Sequence, residues 1–187
     1  MEKGATTKPM ERRGRPWYRD WLVLPIVLAV VAVDQLSKYL IRLYLAAGES
    51  FPSDGTFRIQ HIHNTGGAFG FFPDQTFLLI ITSFFAIVVL LVLYRRYPFH
   101  GLLLRLSLGL QLGGAIGNLI DRLRLGHVTD FIRLGWWPLF NLADASIVAG
   151  IVILVGLFLL TARSKEGLRS QGEGPAVSND ETLGADR

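Results

Sequence analysis

The sequence predicts a membrane protein of mainly α class: a bundle of four transmembrane helices with a small extracytoplasmic β-sheet between spans one and two. Three observations carry that prediction. Half of the 187 residues are hydrophobic and only 18% are charged, against roughly 25% in an average soluble domain. The apolar residues are concentrated in four runs, each near the 20 or so residues that cross a bilayer. Lysine and arginine crowd into alternate connections between those runs, as they do on the cytoplasmic side of membrane proteins. The positive mean hydropathy of +0.37 excludes a disordered, solvating chain and argues against an ordinary soluble globule.

The elements follow in order. Residues 1–20 form a basic cytoplasmic segment with Lys3, Lys8, Arg12, Arg13, Arg15 and Arg19. The first span runs from about Trp21 to Leu45, purely apolar to Val33 and then interrupted by Asp34, Lys38 and Arg42. Its basic leader and short apolar core resemble a secretory signal peptide. The apolar pattern resumes through Tyr39, Leu40, Ile41, Leu43 and Leu45, so a retained helix is expected. The connection that follows holds Arg58 as its only Lys or Arg and is assigned to the outside. Within it, Ser53-Asp54-Gly55-Thr56 reads as a turn, because Asp-Gly accommodates positive φ. The residues Phe57-Arg58-Ile59-Gln60 alternate as a strand does. A small sheet over about residues 48–72 is expected to pack on the outer membrane surface.

The second span, about Thr76 to Tyr94, carries no charge, and Arg95 and Arg96 return the chain to the cytoplasm. The third, about Leu102 to Ile120, repeats glycine at Gly109, Gly113 and Gly117. That spacing clears one helix face for close approach of a neighbour. The fourth runs from about Ala143 to Thr161. Residues 163–187 are rich in Gly, Ser and acidic side chains and are expected to be a disordered cytoplasmic tail. Both termini are then cytoplasmic, as an even number of spans requires. One four-span domain, residues 21–162, leaves no room for a soluble domain. The net charge of +4 follows from this topology, so no nucleic-acid partner is invoked.

The absence of cysteine excludes disulfides, thiolate catalysis and Cys-ligated metal. His61 and His63 share one face of the expected strand but lack a third ligand nearby, so they are read as surface or interfacial histidines. No metal site and no cofactor are expected. Four carboxylates remain, Asp34, Asp121, Asp130 and Asp144, all placed in or near the outer half of the membrane. Each is a default functional candidate, because a carboxylate inside a bilayer costs about 2.5–3.5 kcal/mol at the helix centre. Asp34 has Lys38 one turn on and is read as its ion-pair partner. Asp121 adjoins Arg122, which supplies a local charge partner. Asp130 and Asp144 have weaker local explanations. Two carboxylates brought together at low dielectric share a proton, the arrangement of aspartic hydrolysis. Spacing alone does not decide whether these two meet. A small transporter or ion pathway is the competing class, since acidic residues in spans also mark proton relays. The uncharged second span and a polar stretch confined to one side stand against it, and a purely structural membrane protein would not need four such carboxylates.

At these residues the chain resembles the bacterial lipoprotein signal peptidase (signal peptidase II) family. Five blocks carry the resemblance in order: Asp34-Gln35-Leu36-Ser37-Lys38, Asn64-Thr65-Gly66-Gly67-Ala68-Phe69, Gly117-Asn118-Leu119-Ile120-Asp121-Arg122, Val128-Thr129-Asp130-Phe131 and Phe140-Asn141-Leu142-Ala143-Asp144. The resemblance covers nearly all of Trp21 to Leu160. It implies a membrane-embedded aspartic endopeptidase that removes signal peptides from diacylglyceryl-modified prolipoproteins, cutting before the lipidated cysteine at the outer face of the bacterial cytoplasmic membrane. By that resemblance the catalytic pair maps onto Asp130 and Asp144. Supporting or substrate-binding roles map onto Asp34, Lys38, Asn64, Asn118, Asp121, Arg122 and Asn141. The implied partners are the lipid-modified prolipoprotein and membrane lipids, and the chain is expected to act as a monomer. Gly67 departs from the family's usual alanine, and the segments before Pro16 and after Thr161 match nothing.

Overall fold

The computed structural model describes residues 22–66, 76–96 and 101–172. The basic N-terminal segment, Trp21, the Gly67–Phe72 end of the expected sheet and residues 173–187 lie outside them. Among the described residues, four helices are long and apolar enough to cross a membrane. They are α1 (Val23–Tyr44), α2 (Thr76–Arg96), α3 (Leu102–Leu125) and α4 (Leu142–Gly172). A sheet of three antiparallel strands, β1 (Ser50–Phe51), β2 (Phe57–Asn64) and β3 (Val128–Leu134), has the order β1-β2-β3. The first two strands lie between α1 and α2 as expected. The third does not: it comes from the connection between α3 and α4. The first four residues of the run, Val128-Thr129-Asp130-Phe131, are all buried, on both sides of the strand, which hides the strand period.

The chain divides into two units, Met1–Leu154 and Val155–Arg187. The second, within the described residues, is the continuation of α4. That helix extends to Gly172, past the Thr161 end expected of the fourth span. Lys, Glu, Leu, Arg and Gln in this stretch are good helix formers, so a polar tail can continue an apolar helix.

Within the first unit α3 is the central helix, half of its most apolar window being buried against 11% or less for the other three. Glycine makes this possible. A Cβ at Gly109 would stand 2.6 Å from Ile26 Cγ2, and one at Gly113 would stand 2.6 Å from Val30 Cβ. At Gly117 it would stand 2.5 Å from Asp34 Oδ2. Residues 26, 30 and 34 of α1 therefore rest on 109, 113 and 117 of α3, one turn apart on each helix. The opposite side of α3 meets α4, with Gly114 against the Ala143 carbonyl and the Ile147 side chain. Deeper along that contact, buried Ser107 donates to the Gly150 carbonyl at 2.7 Å and accepts from Gln111 Nε2 at 3.0 Å. This polar clasp had no signal in the sequence beyond two polar letters in an apolar run. The apolar core gathers Val23, Leu108 and Leu112 with Ile87, Leu91 and Tyr94 of α2 packed against them. Large exposed apolar side chains such as Leu28, Leu36, Phe85, Val152 and Phe158 are what a lipid-facing surface requires.

The helix ends are specific. α3 stops at Gly126, whose left-handed φ of 78° lets its N–H reach the Arg122 carbonyl at 3.1 Å. The chain re-enters immediately as β3, antiparallel to β2, with Ile62 opposite Asp130, His63 opposite Thr129 and Asn64 opposite Val128. After β3 a turn through Gly135 (φ +50°) closes with Trp137 N–H on the Leu134 carbonyl at 2.8 Å. The chain then returns so that Phe140 bridges Ile132. That return sets Asn141 beside Asp130 and starts α4.

Candidate active site

α4 opens on a reciprocal cap. The Asp144 N–H donates to Asn141 Oδ1 at 3.0 Å, and the Asn141 N–H donates back to Asp144 Oδ2 at 3.3 Å. This is a capping box built with Asn and Asp. It fixes the Asn141 amide, since a backbone N–H can only donate and so demands the oxygen. The free Nδ2 then faces Asp130 Oδ1 at 2.7 Å and Asn118 Oδ1 at 3.2 Å. One residue therefore ties Asp130 of β3 to Asp144 of α4, which the sequence left undecided.

Two more asparagines are oriented by the same logic. Asn64 Oδ1 accepts from the Gly66 N–H at 3.0 Å, so its Nδ2 donates to Asp130 Oδ2 at 2.7 Å. Asn118 Oδ1 accepts from Lys38 Nζ at 2.9 Å, so its Nδ2 donates to Asp144 Oδ1 at 2.7 Å. Lys38 has donors only, and that alone decides which way Asn118 points. All four carboxylate oxygens of the pair thus receive an N–H from a group that cannot be turned round.

Beneath the pair lies a fully buried ionic cluster. Lys38 Nζ stands 2.9 Å from Asp34 Oδ2 and 3.3 Å from Asp121 Oδ2. Its three protons are consumed by these two carboxylates and Asn118. Asp34 Oδ1 also accepts the Ala143 N–H at 3.0 Å, holding the first turn of α4 to α1. Asp121 Oδ2 accepts the Thr129 N–H at 3.1 Å, while Arg42 donates to Thr129 Oγ1 at 2.9 Å. Thr129 precedes Asp130, so both contacts fix β3 where the carboxylate leaves it. Gln35 Nε2 joins the Gly117 carbonyl and Asp121 Oδ1, each at 3.1 Å. The structure corrects the local pairing read for Asp121. Adjacent helical residues diverge by about 100°; Asp121 faces Lys38, and Arg122 turns to Ser83 of α2 at 3.3 Å.

A cavity of about 670 Å³ opens over the carboxylates. Asn64, Asn118, Arg122, Asp130 and Asp144 give it a polar floor, and Leu134, Trp137, Leu139, Phe140 and Val148 an apolar wall. Asp130 is 2% exposed. Burial pushes its carboxyl up to about 6, the nearby Asp144 charge adds to the rise, and the amides of Asn64 and Asn141 restrain it. A carboxyl that holds its proton to that pH beside a second carboxylate can give a proton while its neighbour takes one.

All nine site residues named from the sequence meet here. Gln35, Arg42, Thr129 and the aromatic wall were missed. Gln35 and Arg42 were legible as polar letters in an apolar span, but which way they turn depends on α3 and β3. The histidines differ from expectation: His61 is buried, with Nδ1 on the Leu45 carbonyl at 2.9 Å. His63 stacks on His127 with ring centroids 3.9 Å apart. Burial and neighbouring cations hold both His63 and His127 below the usual imidazole range.

The profile of a family described as Signal peptidase (SPase) II matches residues 26–160. The lipoprotein signal peptidase of Moorella thermoacetica is 48% identical over 140 residues, 74% of this chain and 93% of that protein. That of Syntrophotalea carbinolica is 42% identical over 158 residues, 80% of this chain and 95% of that protein. Two solved structures of bacterial membrane enzymes are similar in fold. One, at 2.3 Å resolution, has a TM-score of 0.70 at 25% identity, over 88% of this chain and 94% of that one. The other, at 1.9 Å, has a TM-score of 0.66 at 29% identity, over 73% and 92%.

Proposed function

The chain belongs to the signal peptidase II family and is a multi-pass membrane aspartic peptidase with lipoprotein signal peptidase function; from that premise we propose how its residues carry out the reaction. Asp130 and Asp144 are the catalytic dyad. The observation that carries this reading is Asn141, which hydrogen-bonds both carboxylates at the floor of one cavity. With one proton between them, the pair activates water against the scissile carbonyl and protonates the oxygen that becomes negative. Asn64, Asn118 and Asn141 orient the carboxylates, and the Asp34–Lys38–Asp121 cluster holds the elements that carry them. Arg122, which lines the same cavity, is placed to meet a substrate carbonyl or lipid ester.

The substrate is a prolipoprotein whose cysteine carries diacylglycerol, cut just before that cysteine. Each buried methylene contributes about 0.8 kcal/mol to retention in the bilayer, so such a substrate stays in the membrane and has to be met there. The apolar wall from Trp137 to Val148 is suited to its acyl chains. The enzyme acts as a monomer, with both termini cytoplasmic and the site toward the outer face. Neither cofactor nor metal enters the reaction.

The test is incubation of the purified protein with a diacylglyceryl prolipoprotein and with the same precursor unlipidated, followed by a gel for signal-peptide loss. Only the lipidated form should be cut. Equal cleavage of both would overturn the substrate assignment.

A further inference from the structure

We propose that the buried Lys38, acting through Asn118, holds Asp144 ionised at rest, so that the resting proton sits on Asp130. This deepens the dyad reading above and rests on it.

The two carboxylates stand in unequal surroundings. Asp144 is the third residue of α4, where the helix dipole favours negative charge, and it accepts a backbone N–H within the capping box. Its other oxygen accepts from an amide whose carbonyl is itself bound by an ammonium group. Hydrogen bonds in such a chain polarise one another, so Asn118 delivers part of the Lys38 charge to Asp144. Asp144 is also only partly buried.

Asp130 has none of these advantages. It lies on a strand, is 2% exposed, and accepts from the neutral amides of Asn64 and Asn141 alone. Lys38 acts on it at longer range, and Asp144 opposes its ionisation. Burial disfavours the charged form most where compensation is weakest. Asp130 lines the cavity, so a proton it carries is within reach of a substrate carbonyl lying there.

The roles follow. Water gives a proton to the Asp144 carboxylate as its oxygen bonds to the scissile carbon. The carbonyl π pair moves to oxygen, which takes the Asp130 proton and yields a gem-diol. On collapse the C–N bond breaks, the nitrogen takes the proton held by Asp144, and a diol hydroxyl returns one to Asp130. The dyad ends as it began.

Asn64 and Asn118 separate this assignment from its reverse, because each donates to one member only. The kcat/KM profile against pH reports the free enzyme, and its alkaline limb marks loss of the resting proton. Asn64→Ala removes a donor that restrains Asp130, so the limb should move to higher pH by roughly one unit. Asn118→Ala should move it far less. A large upward shift in Asn118→Ala with none in Asn64→Ala would overturn the proposal. Infrared spectra provide a second reading that needs no turnover. The protonated-carboxyl band that titrates near pH 6 should vanish in Asp130→Asn and persist in Asp144→Asn; the opposite pattern, or no such band in the wild type, would overturn it. Full activity in both Asp→Asn variants would instead sink the dyad reading itself.

Discussion

Asparagine in place of Asp130 or Asp144 keeps the shape of the side chain and removes its ability to take or give a proton in turnover. Each variant should therefore lose at least 10²–10⁴-fold in cleavage, the usual contribution of general acid–base catalysis. The double variant should be scarcely worse than either, because groups that act as one unit are non-additive. Rates per correctly inserted molecule check both points. Asp130 also links stability to pH. Its folded value of about 6 lies above the unfolded value near 3.9, so the native state holds this proton more tightly. That stabilisation is fully present below about pH 3.9 and is lost as pH rises through 6, on the order of 3 kcal/mol in all. Thermal unfolding of wild type and Asp130→Asn between pH 4 and 7 should show the wild type losing stability more steeply. Parallel curves would refute the linkage. Asp34 differs in kind from the dyad. It holds Lys38 and the Ala143 N–H and is not among the residues that line the cavity over the dyad. Asp34→Asn should lower yield and stability, since breaking a buried ion pair costs roughly 3–5 kcal/mol, while surviving molecules retain cleavage.

Helix α3 carries the element-scale argument, because its glycines set the distance between the two halves of the site. Gly117 places the α3 backbone against Asp34, and Gly113 places it against Val30. Gly113→Ala should push α1 away and destabilise by roughly 1–3 kcal/mol, as overpacking does. Gly117→Ala should do this and also disturb the Asp34 carboxylate, losing more activity than Gly113→Ala at equal stability loss. Unfolding in detergent and a cleavage assay on the same samples separate the two effects. The glycine period was legible in the sequence as a close-packing face, and so were four spans, since lipid imposes a length and a polarity on each. Strand β3 was not. Its alternation is erased by burial of Val128, Thr129, Asp130 and Phe131 together, and its partner β2 lies more than sixty residues earlier in the chain. The site followed the same division. Asp34–Lys38 could be read because a helix dictates neighbours four apart. That Asp121 turns to Lys38 and not to Arg122 depends on how α1 and α3 are rotated, which no local pattern records.

At the scale of the molecule, the positions of Lys and Arg predict both termini inside. A cysteine placed at position 170 should resist an impermeant thiol reagent applied to intact cells and react once the cells are opened. Labelling from outside would invert the topology. Truncation after Arg169 should leave cleavage near wild type, because the site lies wholly within residues 34–149; a loss beyond about tenfold at normal expression would show otherwise. The way the site is assembled has a consequence for its biosynthesis. Lys38 comes from α1, Asn64 from β2, Asn118 from α3, Asp130 from β3 and Asp144 from α4. Synthesis proceeds from the N-terminus, so the last of the site's carboxylates to emerge is also the one that caps the last helix. A nascent chain with three helices inserted holds Asp130 but no partner for it. If Asp130 and Asp144 are the catalytic pair, proteolytic capacity should appear in one step, when the fourth helix enters the membrane and closes its cap, and a ribosome-stalled or truncated product should be inert toward the precursors around it.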